Sequence, residues 1–345
     1  MKPPILLAVP NVSEGRDETA VAALAAAFVG TAAADGVTGA LAGSAAAAVR
    51  LLDVHTDRDH HRSVFTLAGP PVKLADALLR GAHTAVEQLN VMERAHGHAD
   101  DAGQHPHVGA IDVVPIVYLS QSDRGAACAE ALVVADRLGS ELDLPVFLYG
   151  ELSGADPGSE RTRAQLRRGG IAGLAARMVG EVEIADGLAP AGAQGARGRT
   201  NDAAAATPLV PDFGPHSLHP RAGAALVAAR PPLVAFNLQL APPATIADAR
   251  AIAARIREGG EEGLPGVRAI AVALRDGSAQ VSTNVERPNE TALARVVDAV
   301  RTHAPIASAE LVGLAPAAAF AGFPEDLPIP GFDPARHLLE NALGS

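Results

Sequence analysis

Gly103-Gln-His-Pro-His-Val-Gly-Ala-Ile-Asp-Val-Val-Pro115 runs from a polar, histidine-bearing turn into an apolar segment that continues to Tyr118. Pro106 fixes its own φ and steers His105 towards an extended conformation. Gly109 and Ala110 carry little or no side chain, so a ligand or another backbone can come close. Ile111 to Tyr118 reads as a strand. It decides the fold because of what precedes it. Ile5 to Val9 is a short buried strand stopped by Pro10. Asp17 to Phe28 has helical spacing, with Asp17 and Glu18 at the positive end. Ala48 to Val54 and Arg62 to Ala68 are two further strands, and Pro71 to Leu89 is a helix with Pro in its first turn. The strand after the histidine turn therefore completes the order β-α-β-β-α-β.

Downstream, Asp123 to Leu142 is a helix and Val146 to Tyr149 a short extra strand. Arg161 to Met178 carries short helices broken at Gly169-Gly170, and residues 180 to 210 lose periodicity. The pattern then repeats. Pro232 to Leu240 is a strand, with Ala224 to Ala229 expected in the same hairpin. Ala244 to Glu258 is a helix. Val267 to Leu274 and Ala279 to Val285 flank an Asp276-Gly277 turn. Asn289 to His303 is a helix with an Asn cap, and Ala307 to Val312 closes the set. The expectation is an α+β fold of two ferredoxin-like (βαββαβ) subdomains whose sheets face each other across a substrate cleft. The expected division is residues 1–180 for the first subdomain, 181–210 for a linker or excursion, 211–320 for the second subdomain and 321–345 for a C-terminal tail, a strap or mobile end.

Of the 345 residues, 48% are hydrophobic and 19% charged, the balance of a globular protein. The net charge of −11, with no Trp and two Tyr, argues against a nucleic-acid stacking platform. Cys128, the single cysteine, excludes an internal disulfide and a cysteine-type zinc site. Neither a signal-type leader nor a membrane span is read, so a cytoplasmic location is expected.

Eight of the twelve histidines, His55, His60, His61, His83, His96, His98, His105 and His107, fall between residues 55 and 107. Three readings follow. With Asp57, Asp59, Asp100 or Asp101 the histidines could hold zinc or iron and support a metal-dependent hydrolase, although no zincin or facial-triad spacing occurs. They could be a solvated polar surface. Or one histidine could be a general acid–base, since its charge changes near neutral pH. The polar stretches 11–15, 55–61 and 211–223 all adjoin strand ends and could converge with it on one cleft.

Val9-Pro-Asn-Val-Ser-Glu-Gly15 resembles the opening motif of glutamate formimidoyltransferases, the transferase part of formimidoyltransferase-cyclodeaminases. Leu51-Leu-Asp-Val54, Arg62-Ser-Val-Phe-Thr66, the 103–115 stretch and Leu144-Pro-Val-Phe-Leu-Tyr-Gly-Glu151 are similar to later blocks of that family. So are Pro211-Asp-Phe-Gly-Pro215, Ala235-Phe-Asn237, Gln280-Val-Ser-Thr-Asn284 and Leu311-Val-Gly-Leu-Ala-Pro316.

The resemblance implies transfer of a formimidoyl group from N-formimidoyl-L-glutamate to N5 of tetrahydrofolate, the co-substrate, by a homodimer without a metal. It implies His105 as the catalytic residue. The segment Gly214, Pro215, His216, Ser217, Leu218, His219, Pro220, Arg221, Ala222 and Gly223 matches the folate-binding segment. Asn11, Arg62 and His107 complete the expected substrate contacts, with Arg62 and Arg221 suited to carboxylates. A non-catalytic folate or small-anion binder is the alternative within the same likeness. The chain departs from the family pattern at Gln104, where Glu is usual, at His107, where Arg is usual, and at His55, where an acidic residue is usual. Arg94 to Ala102 is also longer than usual. These departures bear on the natural one-carbon donor.

Overall fold

The computed structural model of the chain describes residues 3–30, 49–96, 106–154, 159–180 and 208–344. It is α+β with two sheets. The first sheet begins with Leu6–Ala8 (β1) and Asn11–Val12 (β2), two pieces of one run interrupted at Val9 and Pro10. Proline has no N–H to give a ladder. The Pro10 carbonyl still accepts from the Phe65 N–H at 3.0 Å, so the run stays in place. Helix α1 (Glu18–Val29) starts at Asp17, whose carboxylate caps the N–H groups of Thr19 and Ala20 at 2.9 and 3.1 Å.

Next come β3 (Arg50–Asp57), β4 (Arg62–Gly69), α2 (Lys73–Gln88), the short α3 (Val91–His96) and β5 (Ile111–Val117). After α4 (Arg124–Leu142) and β6 (Val146–Leu148) the chain forms α5 (Arg163–Arg167) and α6 (Gly170–Met178). The sheet is completed by β7 (Ala225–Arg230). Strand order is β3, β4, β1 with β2, β5, β7, β6; β7 is parallel to β5 and to β6, and the other pairs are antiparallel.

The expected hairpin between 224–229 and 232–240 is therefore not formed. Ala225 to Ala229 are all buried, as suits an interior strand, and Pro231-Pro232 breaks the ladder immediately after Arg230. The first sheet has seven strands rather than four.

The second sheet comprises β8 (Val234–Leu240), β9 (Val267–Ala273), β10 (Ala279–Val285) and β11 (Ile306–Val312), in the order β11-β8-β10-β9 and antiparallel throughout. Helices α7 (Ile246–Ile256) and α8 (Leu293–Arg301) cover one face. Helix α8 starts later than the Asn289 cap predicts. Residues 287–291 form a turn instead, with Thr291 Oγ1 donating to the Pro265 carbonyl at 2.8 Å. The C-terminal pieces α9 (Pro334–His337) and α10 (Leu339–Leu343) return to the first sheet, where Arg50 donates to the Ala342 carbonyl at 3.0 Å.

Four apolar clusters hold these layers. The largest lies between the first sheet and α1, α2 and α4. Another fills the opposite face under α5 and α6, and a third lies between the second sheet and its helices. The fourth joins the halves: Leu7, Ala68 and Val117 of the first sheet meet Leu314 and Leu339. Fully burying a leucine contributes about 1.5–3 kcal/mol, so this small cluster is a firm seam at one end of the space between the sheets.

Candidate active site

The face of the second sheet opposite its helices is polar. Asn237 and Gln239 on β8 alternate with buried Phe236, Leu238 and Leu240; Gln280, Ser282 and Asn284 on β10 alternate with Ala279, Val281, Thr283 and Val285. Strands alternate faces with period two. An apolar face would have packed dry against the first sheet, whereas this one leaves a cleft. One chamber is lined by Asn11, His60, Arg62 and Thr66 from the first half. Asn237, Ser282 and Asn284 line it from the second sheet, and Arg163, Arg167 and Arg230 from α5 and the end of β7. The apolar seam closes it through Leu7, Val117, Leu314 and Leu339. A second chamber, sharing Asn237, is lined by Asp57, Asp59, Gln239, Gln280 and Glu310 among others.

The first chamber concentrates positive charge inside an acidic protein. Arg167 is buried and paired with Asp112, whose other oxygen accepts the Val108 N–H at 2.8 Å. Among the described residues, Arg62, Arg163 and Arg230 have no carboxylate within ion-pair distance. Burial pushes the Arg62 guanidinium down to about 10, with repulsion from Arg167 and Arg163 adding to it. Arg230 is also held at about 10, chiefly by burial; Tyr149 acts in the opposite direction and Arg163 in the same one. Burial, then Arg167, lowers Arg163. The Nε atoms of Arg62 and Arg230 are buried without a hydrogen-bond partner. Guanidinium groups match carboxylates in geometry as well as charge, so the chamber is suited to an anionic group.

Two histidines with opposite surroundings sit beside this chamber. His60 is 4% exposed, and its Nδ1 is bonded to Asp57 Oδ2. Asp57 Oδ1 accepts the N–H groups of Asp59 and His60, both at 2.8 Å. Burial would raise this carboxyl, but the bonds and charge of His60 outweigh it and hold it at about 2. His61, at φ 50, turns the other way. Its Nδ1 accepts the Gly15 N–H at 3.1 Å, which fixes the neutral tautomer with hydrogen on Nε2. Burial drops His61 to about 4; Glu14 pulls it back, and Arg94, Arg16 and His107 push it further down.

Glu14 anchors that side. It is 2% exposed and accepts the N–H groups of Gly15, Arg16 and Asp17 at 2.9–3.0 Å and Arg94 Nη2 at 2.6 Å. These bonds outweigh burial and leave its pKa lowered.

The sequence-expected residues divide into three groups. Asn11 and Arg62 line the first chamber. His107 stands close enough to His61 for their charges to interact, but lines neither chamber. His105 lies outside the described residues.

The loop from Gly214 to Gly223 lines neither chamber. It packs against the histidine turn. Gly223 bridges Gly109, the Ala110 N–H donates to the Ala222 carbonyl at 2.8 Å, and Arg221 reaches the Glu87 carbonyl at 3.2 Å. His219 closes the loop by accepting the N–H groups of Arg221 and Ala222. A Cβ on Gly109 would stand 1.8 Å from the Ala224 carbonyl oxygen, so the close approach expected there is made by backbone.

His55 pairs across the sheets with Glu310 at 3.3 Å, and Asn237 donates to the same carboxylate at 2.8 Å. Among the described residues no three His, Cys, Asp or Glu side chains gather as a metal-ligand group; His98, His105, Asp100 and Asp101 lie outside them. No described helix is long and apolar enough to cross a membrane.

Sequence reading missed Arg163, Arg167 and Arg230. The first two sit on a five-residue helix whose facing is set only by packing under the first sheet, and the third follows from the unforeseen placement of β7. The period-two polar residues of β8 and β10 were a usable signal.

A family model described as formiminotransferase domain, N-terminal subdomain, matches residues 5–230, ending on the last residue of β7. The chain is 31% identical over 346 residues to a glutamate formimidoyltransferase of Streptococcus pyogenes serotype M1, covering 98% of each. It is 30% identical to one from Thermoplasma acidophilum, over 89% of this chain and 87% of that one. A formimidoyltransferase-cyclodeaminase of Rattus norvegicus is 31% identical over 89% of this chain, which spans about half (49%) of the relative.

Proposed function

Because the chain belongs to the formiminotransferase family, we propose that it transfers a formimidoyl group from N-formimidoyl-L-glutamate to N5 of tetrahydrofolate, linking histidine degradation to one-carbon metabolism. The single observation that carries this reading is the chamber in which Arg62, Arg163 and Arg230 await carboxylates. A glutamate-based donor brings two. The polar chamber beyond Asn237 offers amide and carboxylate partners for the heterocycle of the acceptor.

N5 attacks the amidine carbon and gives a tetrahedral intermediate. One proton leaves N5, and the C–N bond to the glutamate nitrogen breaks as that nitrogen gains one. His105 is assigned the acid–base role, for which about 10²–10⁴ in rate is typical. The 214–223 loop, assigned to folate, is backed by its packing against the turn that follows His105. The second sheet's order β11-β8-β10-β9, and the order β3, β4, β1, β5 within the first, support a ferredoxin-like unit in each half. A cytoplasmic homodimer completes the assignment.

The test mixes purified protein, N-formimidoyl-L-glutamate and tetrahydrofolate and follows pterin absorbance. Turnover that His105→Ala lowers by about 10²-fold or more, with tetrahydrofolate still bound, is the expected result. A protein that binds both compounds without transfer would instead be a folate and anion binder.

A further inference from the structure

We propose that Gln280 selects the one-carbon acceptor by accepting a hydrogen bond from the 2-amino group of its pterin. The inference rests on the transfer reading above, which puts the donor among the arginines and the acceptor's heterocycle in the second chamber. The two chambers share Asn237. N5 must meet the donor's carbon, so the pterin lies with N5 towards Asn237 and its amino-bearing ring further into the second chamber.

The register of the second sheet gives what that ring meets. Asn237 on β8 stands between Ser282 on β10 and Glu310 on β11. The next row on the same face is Gln280, Gln239 and Ser308. The rows are two residues apart along each strand, about 6.8 Å, which suits a fused two-ring heterocycle laid from one row to the other. Leu274 and Pro330 supply apolar walls to the same chamber.

The neighbours of Gln280 are already engaged. Asn237 Nδ2 donates to Glu310 at 2.8 Å, and His55 meets the same carboxylate at 3.3 Å. Gln239 Nε2 donates to Ser278 Oγ at 2.8 Å, and its Oε1 accepts from Ser308 Oγ at 3.1 Å. On the other side, Gln280 is registered with Val272, which has no polar side chain to offer. Gln280 itself is 5% exposed, and its Oε1 is buried without a hydrogen-bond partner among the described residues. A buried acceptor left unpaired costs stability, and a ligand N–H that reaches it recovers that cost on binding. The 2-amino group of a pterin is such a donor.

Equilibrium binding of tetrahydrofolate and of its 2-desamino-2-methyl analogue to the full chain tests the contact. Wild type should bind the analogue about 5- to 150-fold more weakly, the worth of one hydrogen bond to an otherwise unpaired buried group. Gln280→Met keeps the length of the side chain and removes its amide. It should lose a similar factor for tetrahydrofolate yet bind the two pterins within about twofold of each other, as a shared contact requires. Its affinity for N-formimidoyl-L-glutamate should not change. Should Gln280→Met fail to fold, by circular dichroism, Gln280→Asn, whose amide ends one methylene short, is read by the same comparison. A wild type that binds both pterins alike, or a variant that still rejects the analogue because Glu310 reads the amino group, overturns the inference while leaving the transfer reading intact. A wild-type protein that makes no transfer to tetrahydrofolate overturns the reading, and the inference with it.

Discussion

Replacing Arg62 by Met should make the empty protein more stable and the loaded one weaker. Arg62 stands on β4 with its Nε buried and unpartnered and with Arg163 and Arg167 nearby. Its guanidinium is held at about 10 instead of the ordinary 12.5. That gap corresponds to about 3 kcal/mol charged against the folded state. The folded value is the lower one, so the penalty is full at pH 7 and fades only as pH rises through about 10. Cleft water screens part of it, leaving an expected gain of about 1–2 kcal/mol on removing the charge. Met retains most of the aliphatic stem, so little packing is lost.

Binding moves the other way. A charge-assisted contact to a carboxylate is worth about 1.5–3 kcal/mol, so affinity for the donor should fall roughly 10- to 150-fold. Thermal unfolding at pH 7, with and without N-formimidoyl-L-glutamate, reads both effects. Tm without ligand should rise, and the ligand-induced increase in Tm should shrink. A variant with a lower empty-state Tm and an unchanged ligand shift would refute the claim that this charge is kept for an anion.

Asp112→Asn leaves the 6%-exposed Arg167 without its buried counter-charge and should cost about 3–5 kcal/mol, read as a fall in denaturant midpoint at constant m. Gly109→Ala drives a Cβ into the Ala224 carbonyl and should destabilise by several kcal/mol, whereas Gly125→Ala, with open space on α4, should stabilise by about 1 kcal/mol; urea melts of the pair test the close approach. Glu14→Gln should remove stability near neutral pH. Because the carboxyl is lowered in the fold, the wild-type advantage is present above about 4.5 and lost as pH falls further, so the two unfolding curves should converge in acid.

The βαββαβ order was readable because each strand is a short apolar run ended by Pro, Gly or a polar turn, and each helix has its own face. Asn11 and Arg62 were expected from the family resemblance, and both line the first chamber. The placement of β7 was not. Pro231-Pro232 argued against a hairpin from Ala224–Arg230 to β8, but the slot between β5 and β6 depends on long-range pairing, including the Gly109–Gly223 bridge, that carries no local signal. Arg163, Arg167 and Arg230 were invisible for the same reason, since their convergence depends on that slot. The His55–Glu310 pair, with partners more than 250 residues apart, likewise carries no local signal.

The slot also sets an order of assembly on the ribosome. Among the described strands β6 pairs with β7 alone, apart from a single bridge from Val146 to Phe213, and β7 pairs with β5 on its other side. While residues 1 to 224 are emerging, β5 therefore has one ladder edge open and β6 has none to join. Both are apolar runs that would invite pairing with other chains. The first half reaches its final form only when Arg230 has cleared the exit tunnel, even though β1 to β5 have all emerged about a hundred residues sooner. A chain released just short of β7 should collect in inclusion bodies, and one released just past it should remain in solution.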